Sequence, residues 1–533
     1  MKLSSLLDRF AEPETLKMAK LGRELRAQGF DVIDLSLGEP DFDTPQHIKD
    51  AAIKAINDNF SHYTPVAGFL DLREAVCTKL KRDNNLDYKP ENIITSTGAK
   101  QSLANIILSM IDEGDEVIIP TPFWVTYSEL VKIARGKVVQ IQTSLENSFK
   151  LTPQQLEAAI TERTRLFMFS SPCNPSGSVY SLEELQALVE VFKKYPDVYI
   201  LSDEIYEYIN FVGKHESIAQ FEAIKERVII VNGLSKGFAM TGWRLGYIAA
   251  HVDIVKACDK IQGQFTSGAS SITQKAAVTA LTTDLKPTYA MTEEFARRRK
   301  RVMEIIKDIP GFKCFEPEGA FYIFPDVSYY YGKTDGETTV NNASEFCMYL
   351  LNTAHVTSVM GDAFGEPSCV RFSFANNIEN KFNQTLALYT QTYNQFSEDM
   401  LAKRQSTRKI VDYLGKVVTD TDGNNHYVNS FGYTHKYSPN AWENNNSSCP
   451  NTTVSYTDKM SNFQTSLPMV QGQPCKIAGQ NIKNKDSGEE AWVDIKGVKH
   501  PYSNLEKNAS CSSQSIELSG RDYNLIPSGS AMS

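Results

Sequence analysis

Residues 228–247 read VIIVNGLSKGFAMTGWRLGY: an unbroken apolar, β-branched run stops at a turn of small residues that carries Lys236, and Arg244 follows eight residues later. An apolar run without polar alternation suits a strand buried on both faces. A lysine is ordinarily a solvated surface group. This one follows a buried strand directly and is flanked by Gly233, Ser235 and Gly237, so the backbone can pass close to a ligand. Partial burial lowers a lysine's pKa and makes its amine a nucleophile toward a carbonyl, as a Schiff base requires.

Working outward, similar short runs recur: EVIIP (116–120), KVVQIQ (137–142), RLFMFSS (165–171), VYILSDE (198–204) and LGYIAA (245–250), separated by helix-length connections. This is an α/β, doubly wound pattern with a largely parallel sheet, spanning a large domain over 45–287. Ligands bind such sheets at the carboxyl ends of the strands, so chemistry is sought just after each run. Residues 288–396 hold a basic helix, a Gly-Pro-punctuated strand region and a last helix over 377–395. They read as a smaller α+β domain completed by residues 1–44. The RRRKR run (297–301) reads as a solvated helix face rather than a phosphate-binding patch. From 397 the character changes, and about a quarter of residues 421–533 are Asn or Ser. Apolar periodicity fades there, and Asn445, Asn446, Asn451 and Asn508 fall in N-x-S/T sequons beside Cys449, Cys475 and Cys511. The segment reads as a polar C-terminal extension or fused unit of unassigned fold; read alone it would suit a secreted module.

The strand ends carry the candidate chemistry. Asp203 closes VYILSD, where a carboxylate can be a helix N-cap; beside Lys236 it can instead keep the ring nitrogen of pyridoxal phosphate protonated. Tyr206, three residues on, can pack as a core aromatic or reach the phenolic oxygen of such a ring. Asn174 lies in the turn SPCNPSG (171–177), as a plain turn residue or a second donor to that oxygen. In ITSTGAKQSLANIILSM (94–110) a strand turns through Gly98, Ala99 and Lys100 into a helix whose positive N-terminus can bind an anion.

Composition bounds the partners. The 533 residues exceed one ordinary packing unit, and 41% hydrophobic with 22% charged residues is globular. A net charge of −9 argues against coating nucleic acid or anionic membrane and favours small-molecule partners. No stretch of eighteen apolar residues occurs, and the first twenty residues are charged too early for a signal peptide, so the chain reads as cytoplasmic. The nine cysteines form no CxxC pair, the first six read as reduced thiols, and no metal site is expected.

Taken together, LSLGEPDFDTP (35–45), YTPVAG (63–68), STGAKQ (96–101), FWVTY (123–127), SPCNPSG (171–177), SDEIYE (202–207), SKGFAMTGWRLGY (235–247), GAFYIF (319–324) and VRFSFA (370–375) resemble the class I aspartate aminotransferases of the bacterial-type subgroup. These are pyridoxal-phosphate enzymes of fold type I. The motifs keep the family's order over residues 1–396; 397–533 match nothing in it. The resemblance implies a mostly parallel, seven-stranded sheet. It implies that Lys236 carries the cofactor as a Schiff base and moves the proton, that Asp203 pairs with the ring nitrogen, and that Tyr206 and Asn174 bond the phenolic oxygen. Trp124 would stack on the ring, while Arg244, Ser235 and the turn Gly98, Ala99, Lys100 would hold the phosphate. Tyr63 would reach the phosphate of the other subunit, which implies a homodimer with shared sites. Arg371, aided by the Gly38 backbone, would clamp the substrate α-carboxylate, and Lys100 would receive a side-chain carboxylate, with Trp124 and Asn174 beside the substrate. The implied reaction is L-aspartate with 2-oxoglutarate to oxaloacetate and L-glutamate by ping-pong kinetics. Rival readings are a broader aromatic or prephenate aminotransferase, a C–S lyase on the same scaffold, and a non-enzymatic ligand-sensing module that binds partners through its tail.

Overall fold

The structure is a computed structural model of the chain. It describes residues 3–334 and 338–376 in full and, beyond them, the backbone of nine short strands between Val417 and Leu518. The expected helix over 377–395, the four sequons' side chains and the three last cysteines lie outside the described residues.

The central sheet has seven strands: β1 (Ile93–Ser96), β2 (Glu116–Pro120), β3 (Lys137–Ile141), β4 (Thr164–Ser170), β5 (Tyr199–Asp203), β6 (Val228–Gly233) and β7 (Gly246–Ala249). Their order is β1-β7-β6-β5-β4-β2-β3. All neighbours are parallel except β7, which runs antiparallel to both β1 and β6. The strands read as continuous apolar runs because both faces are covered: β2 and β6 are buried at every position. Within β4, Phe167 and Phe169 join one core while Leu166 and Met168 join the core on the other face, the period of two that a pleated strand imposes.

A third core gathers Met18, Ile33 and Leu35 from the N-terminal segment with Phe295, Phe321, Tyr322 and Phe372 from the later chain. It is built on β8 (Tyr322–Ile323), β9 (Val359–Met360) and β10 (Val370–Ser373), an antiparallel sheet of order β9-β10-β8. Ile33–Asp34 pairs in parallel with Val356–Thr357, tying the N-terminal segment to the same region.

The basic run lies on the helix Lys286–Lys307, but Arg298 does not face solvent. Its guanidinium bonds Asp41 at 2.9 Å, Glu294 at 3.0 Å and the Ala375 carbonyl at 2.5 Å. Acceptors distant in sequence turned one cation of an apparently solvated face into a buried clasp.

Compact units divide as 1–392 and 393–533. The second unit contains a five-stranded sheet, including Val417–Thr419, Asn425–Val428 and Tyr433–Lys436, and a four-stranded one, including Asn481–Asn484 and Ser515–Leu518. Polar sequence did not prevent strand pairing there, because backbone ladders need no apolar alternation.

Candidate active site

The strand ends meet in a cavity of about 270 Å³ lined by Gly38, Ala99, Lys100, Trp124, Asn174, Asp203, Tyr206, Ser235, Lys236, Arg244 and Arg371. These come from widely separated motifs, and the sheet topology delivers them to one edge. Gly98 borders the same place. Its φ of +83° is one that side chains rarely adopt, and a Cβ there would lie 2.4 Å from Arg244 Nη2. Tyr63 is not among the lining residues; in the single chain it is 100% exposed.

Lys236 follows β6 and its amine donates to the Gly38 carbonyl at 2.5 Å. Burial brings the ammonium down to about 8; Glu39 and Asp203 oppose this, and Arg371 and Arg244 add to it. A lysine in that state releases its proton near neutrality, which nucleophilic and general-base chemistry both require.

Asp203 ends β5, fully enclosed. Its Oδ2 accepts a 2.6 Å hydrogen bond from the Tyr127 hydroxyl, and Oδ1 accepts the Ile205 N–H at 3.2 Å. Burial pushes the carboxyl up to about 6, the Tyr127 and Ile205 bonds pull it down, and neighbouring Glu204 pushes it up again. The group is therefore mostly ionised at pH 7 and suited to hold a protonated ring nitrogen. Tyr127 was not expected as a site residue: FWVTY shows it only as an aromatic three positions after Trp124, and its acceptor is 76 residues away.

Arg371 on β10 is buried. Nη1 donates to Asn174 Oδ1 at 3.0 Å and Nη2 to the Ser36 carbonyl at 2.5 Å, while Nε has no partner. A buried guanidinium with an unused donor edge is prepared for a carboxylate. Asn174 gives its oxygen to Arg371, which leaves its amide nitrogen as the donor for a ring oxygen. The helix Ala99–Met110 starts at Gly98 with no side-chain cap, so its first N–H groups, with Arg244 and Ser235, form an anion cradle. Lys100 sits at the rim, 4.9 Å over the Trp124 ring, its pKa lowered by burial and then by Arg244. An aldehyde-bearing pyridine with a phosphate arm finds an amine, a carboxylate and an anion cradle here, so the residues present fit the cofactor.

Behind Asp203 the segment 204–208 is held by buried ion pairs. Lys79, 1% exposed, pairs with Glu207, and His215 Nε2 lies 3.2 Å from Glu204 Oε2. Glu204, Glu207 and His215 bring ligand-type atoms within 4.8 Å of one another, with Lys79 supplying a cation at Glu207.

The family described as Aminotransferase class I and II matches residues 31–387. An aspartate/prephenate aminotransferase of Nitrosomonas europaea is 45% identical over 384 residues, 71% of this chain and 97% of that protein. An aspartate aminotransferase of Bacillus subtilis is 43% identical over 381 residues, 71% of this chain and 96% of that protein. Among solved structures, the aspartate aminotransferase from Rhizobium meliloti superposes with a TM-score of 0.71 at 40% identity, covering 73% of this chain and 98% of its own. With this cavity and these matches, the chain belongs to the class I and II aminotransferases, pyridoxal-phosphate enzymes of fold type I.

Proposed function

We propose that the protein transfers the amino group of L-aspartate to 2-oxoglutarate, giving oxaloacetate and L-glutamate in two half-reactions at one site. The carrying observation is the enclosed Lys236 amine, brought down to about 8, sharing one cavity with Asp203 and the open donor edge of Arg371. Pyridoxal phosphate supplies the aldehyde that takes the amino group and the cationic ring that accepts the electron pair as the Cα–H bond breaks. Arg371 binds the substrate α-carboxylate and fixes which face of Cα meets the lysine. Lys236 would take the Cα proton and deliver it to the carbon on the far side of the amino nitrogen. Asp203 keeps the ring nitrogen charged, Tyr206 and Asn174 bond the ring oxygen, Trp124 covers the ring, and Arg244, Ser235 and the Gly98–Ala99–Lys100 turn hold the phosphate. Lys100 receives the side-chain carboxylate. As a single point charge it discriminates less sharply than an arginine fork, which favours a second reading in which prephenate is also accepted. The Nitrosomonas relative is named for both activities.

Further parts of the proposal are a homodimer, the cytoplasm, and a division into a large domain (45–287), a small domain (1–44 with 288–396) and the extension 397–533. Fully exposed Tyr63, flanked in sequence by helices carrying exposed Ile53, Ile56 and Leu70, supports a partner copy that receives it. Six cysteines are free among the described residues, as a reducing compartment would leave them. No helix among the described residues is long and apolar enough to cross a membrane. Separate cores in the sheet region and around Phe295, Tyr322 and Phe372 support the two domains.

The test offers the purified protein aspartate or phenylalanine as amino donor, with 2-oxoglutarate or prephenate as acceptor, and follows both products. Amino transfer with 2-oxoglutarate supports the proposal. Elimination without transfer, or transfer from aromatic donors alone, contradicts it.

A further inference from the structure

Tyr322 touches three functional elements at once. It lies on β8, paired with Ser373 of β10, so Arg371 is its diagonal neighbour two residues along that strand. The Arg371 guanidinium lies 4.5 Å from the centre of the Tyr322 ring. The Tyr322 hydroxyl is 2.7 Å from the Tyr206 hydroxyl. It also presses on Gly38: a Cβ there would fall 1.8 Å from the Tyr322 oxygen, so only glycine leaves the hydroxyl room. The same Gly38 accepts the Lys236 amine through its carbonyl. Tyr322 itself is buried, and burial raises its pKa, so the phenol keeps its proton. Tyr206 is likewise held well above the ordinary tyrosine range.

We propose that Tyr322 is a positioning residue that sets two groups together: its ring is the shelf on which Arg371 is held for the substrate carboxylate, and its hydroxyl orients that of Tyr206. Two phenols sharing one hydrogen bond have two protons between them. When Tyr206 donates to the ring oxygen of the cofactor, its own oxygen is free to accept, and Tyr322 is the donor at the right distance. The order is then Tyr322 to Tyr206 to ring oxygen, and each bond polarises the next. The shelf acts separately, since an aromatic face under a desolvated guanidinium holds its plane by cation–π attraction. The sheet register, Gly38 and both contacts point to one geometry. The inference rests on the aminotransferase reading and adds to it a residue that serves carboxylate capture through its ring and the electronics of the cofactor through its hydroxyl.

Two substitutions separate the parts. Tyr322→Phe keeps the shelf and removes the hydroxyl; Tyr322→Leu removes both. Holoenzyme of each is titrated by absorbance across pH, and succinate, a non-reacting dicarboxylate, is titrated by calorimetry. With Tyr322→Phe the pH midpoint of the bound cofactor's absorbance change should rise by roughly half a unit to one unit, because Tyr206 becomes a weaker donor to the anionic ring oxygen. Succinate affinity should stay within about twofold in that variant and fall roughly tenfold in Tyr322→Leu. An unmoved midpoint in Tyr322→Phe, or equal succinate affinity in both variants, overturns the proposal alone. Absence of any cofactor absorbance in the unsubstituted protein overturns the functional reading, and this proposal with it.

Discussion

Replacing Tyr127 by Phe tests what keeps Asp203 ionised. The substitution deletes one hydroxyl from an enclosed site and removes the 2.6 Å bond to Asp203 Oδ2 while keeping the ring that packs against Trp124. A hydrogen bond to a charged group contributes about 1.5–3 kcal/mol, and 1.36 kcal/mol is one pKa unit, so the carboxyl should rise from about 6 to roughly 7–8. Only the ionised carboxylate pairs with a protonated ring nitrogen. By linkage the variant's cofactor affinity at pH 7 should then fall by about 2- to 15-fold relative to wild type. The sign is fixed by the raised pKa: the deficit is largest at acid pH and nearly gone by pH 9, where both forms are ionised. Fluorescence titration of cofactor-stripped protein with pyridoxal phosphate at both pH values measures it. A deficit of equal size at pH 7 and pH 9 would refute the reasoning, since lost packing alone gives no pH dependence.

Arg371→Lys replaces a fork by a point charge; KM for amino-acid and oxo-acid substrates should rise together by about 10- to 100-fold, read from steady-state kinetics with each substrate varied. Lys79→Met leaves Glu207 as an unpaired buried charge and should destabilise the protein by about 3–5 kcal/mol, whereas Lys54→Met at an exposed pair should change stability by less than about 1 kcal/mol, both measured by denaturant unfolding. His215 is raised by Glu204, against the lowering effect of its burial, so the stability it contributes is complete below its unfolded pKa and is lost as pH rises through the folded one. Glu204 is lowered, with His215 overcoming the effect of burial, so its contribution is lost at the acid end. The stability gap between wild type and His215→Gln should therefore be widest in mildly acidic buffer and narrow toward pH 9, and a gap independent of pH would contradict the ion pair.

What could be read from the sequence followed from burial. Strands β2, β4, β5 and β6 announced themselves because both faces are covered and each holds an apolar run (VII, LFMF, YIL and VIIV), and Lys236 stood out because it follows such a run after a short turn. Strand direction left no trace in composition, so the antiparallel β7 was visible as a strand but not in its sense. Partners distant in the chain were also hidden. Tyr127 looked like any core aromatic until β5 brought Asp203 to it, and Tyr322 sat in a quoted motif without a role until β10 set Arg371 beside it. Arg298 shows the converse, since a charge run fits a wet helix face unless an acceptor such as Asp41 waits on a distant loop. Tyr63 is fully exposed in the single chain, and nothing among the described residues receives the ring.

In the function proposed above, the Lys236 amine is the attachment point of the cofactor and the base of the reaction. Borohydride reduction of the holoenzyme, followed by digestion and mass spectrometry, locates the lysine that carries the pyridoxyl group. The account predicts a single modified peptide bearing it on Lys236, abolished by Lys236→Ala together with turnover. Modification of Lys100 or another lysine instead, or full activity in Lys236→Ala, would contradict it.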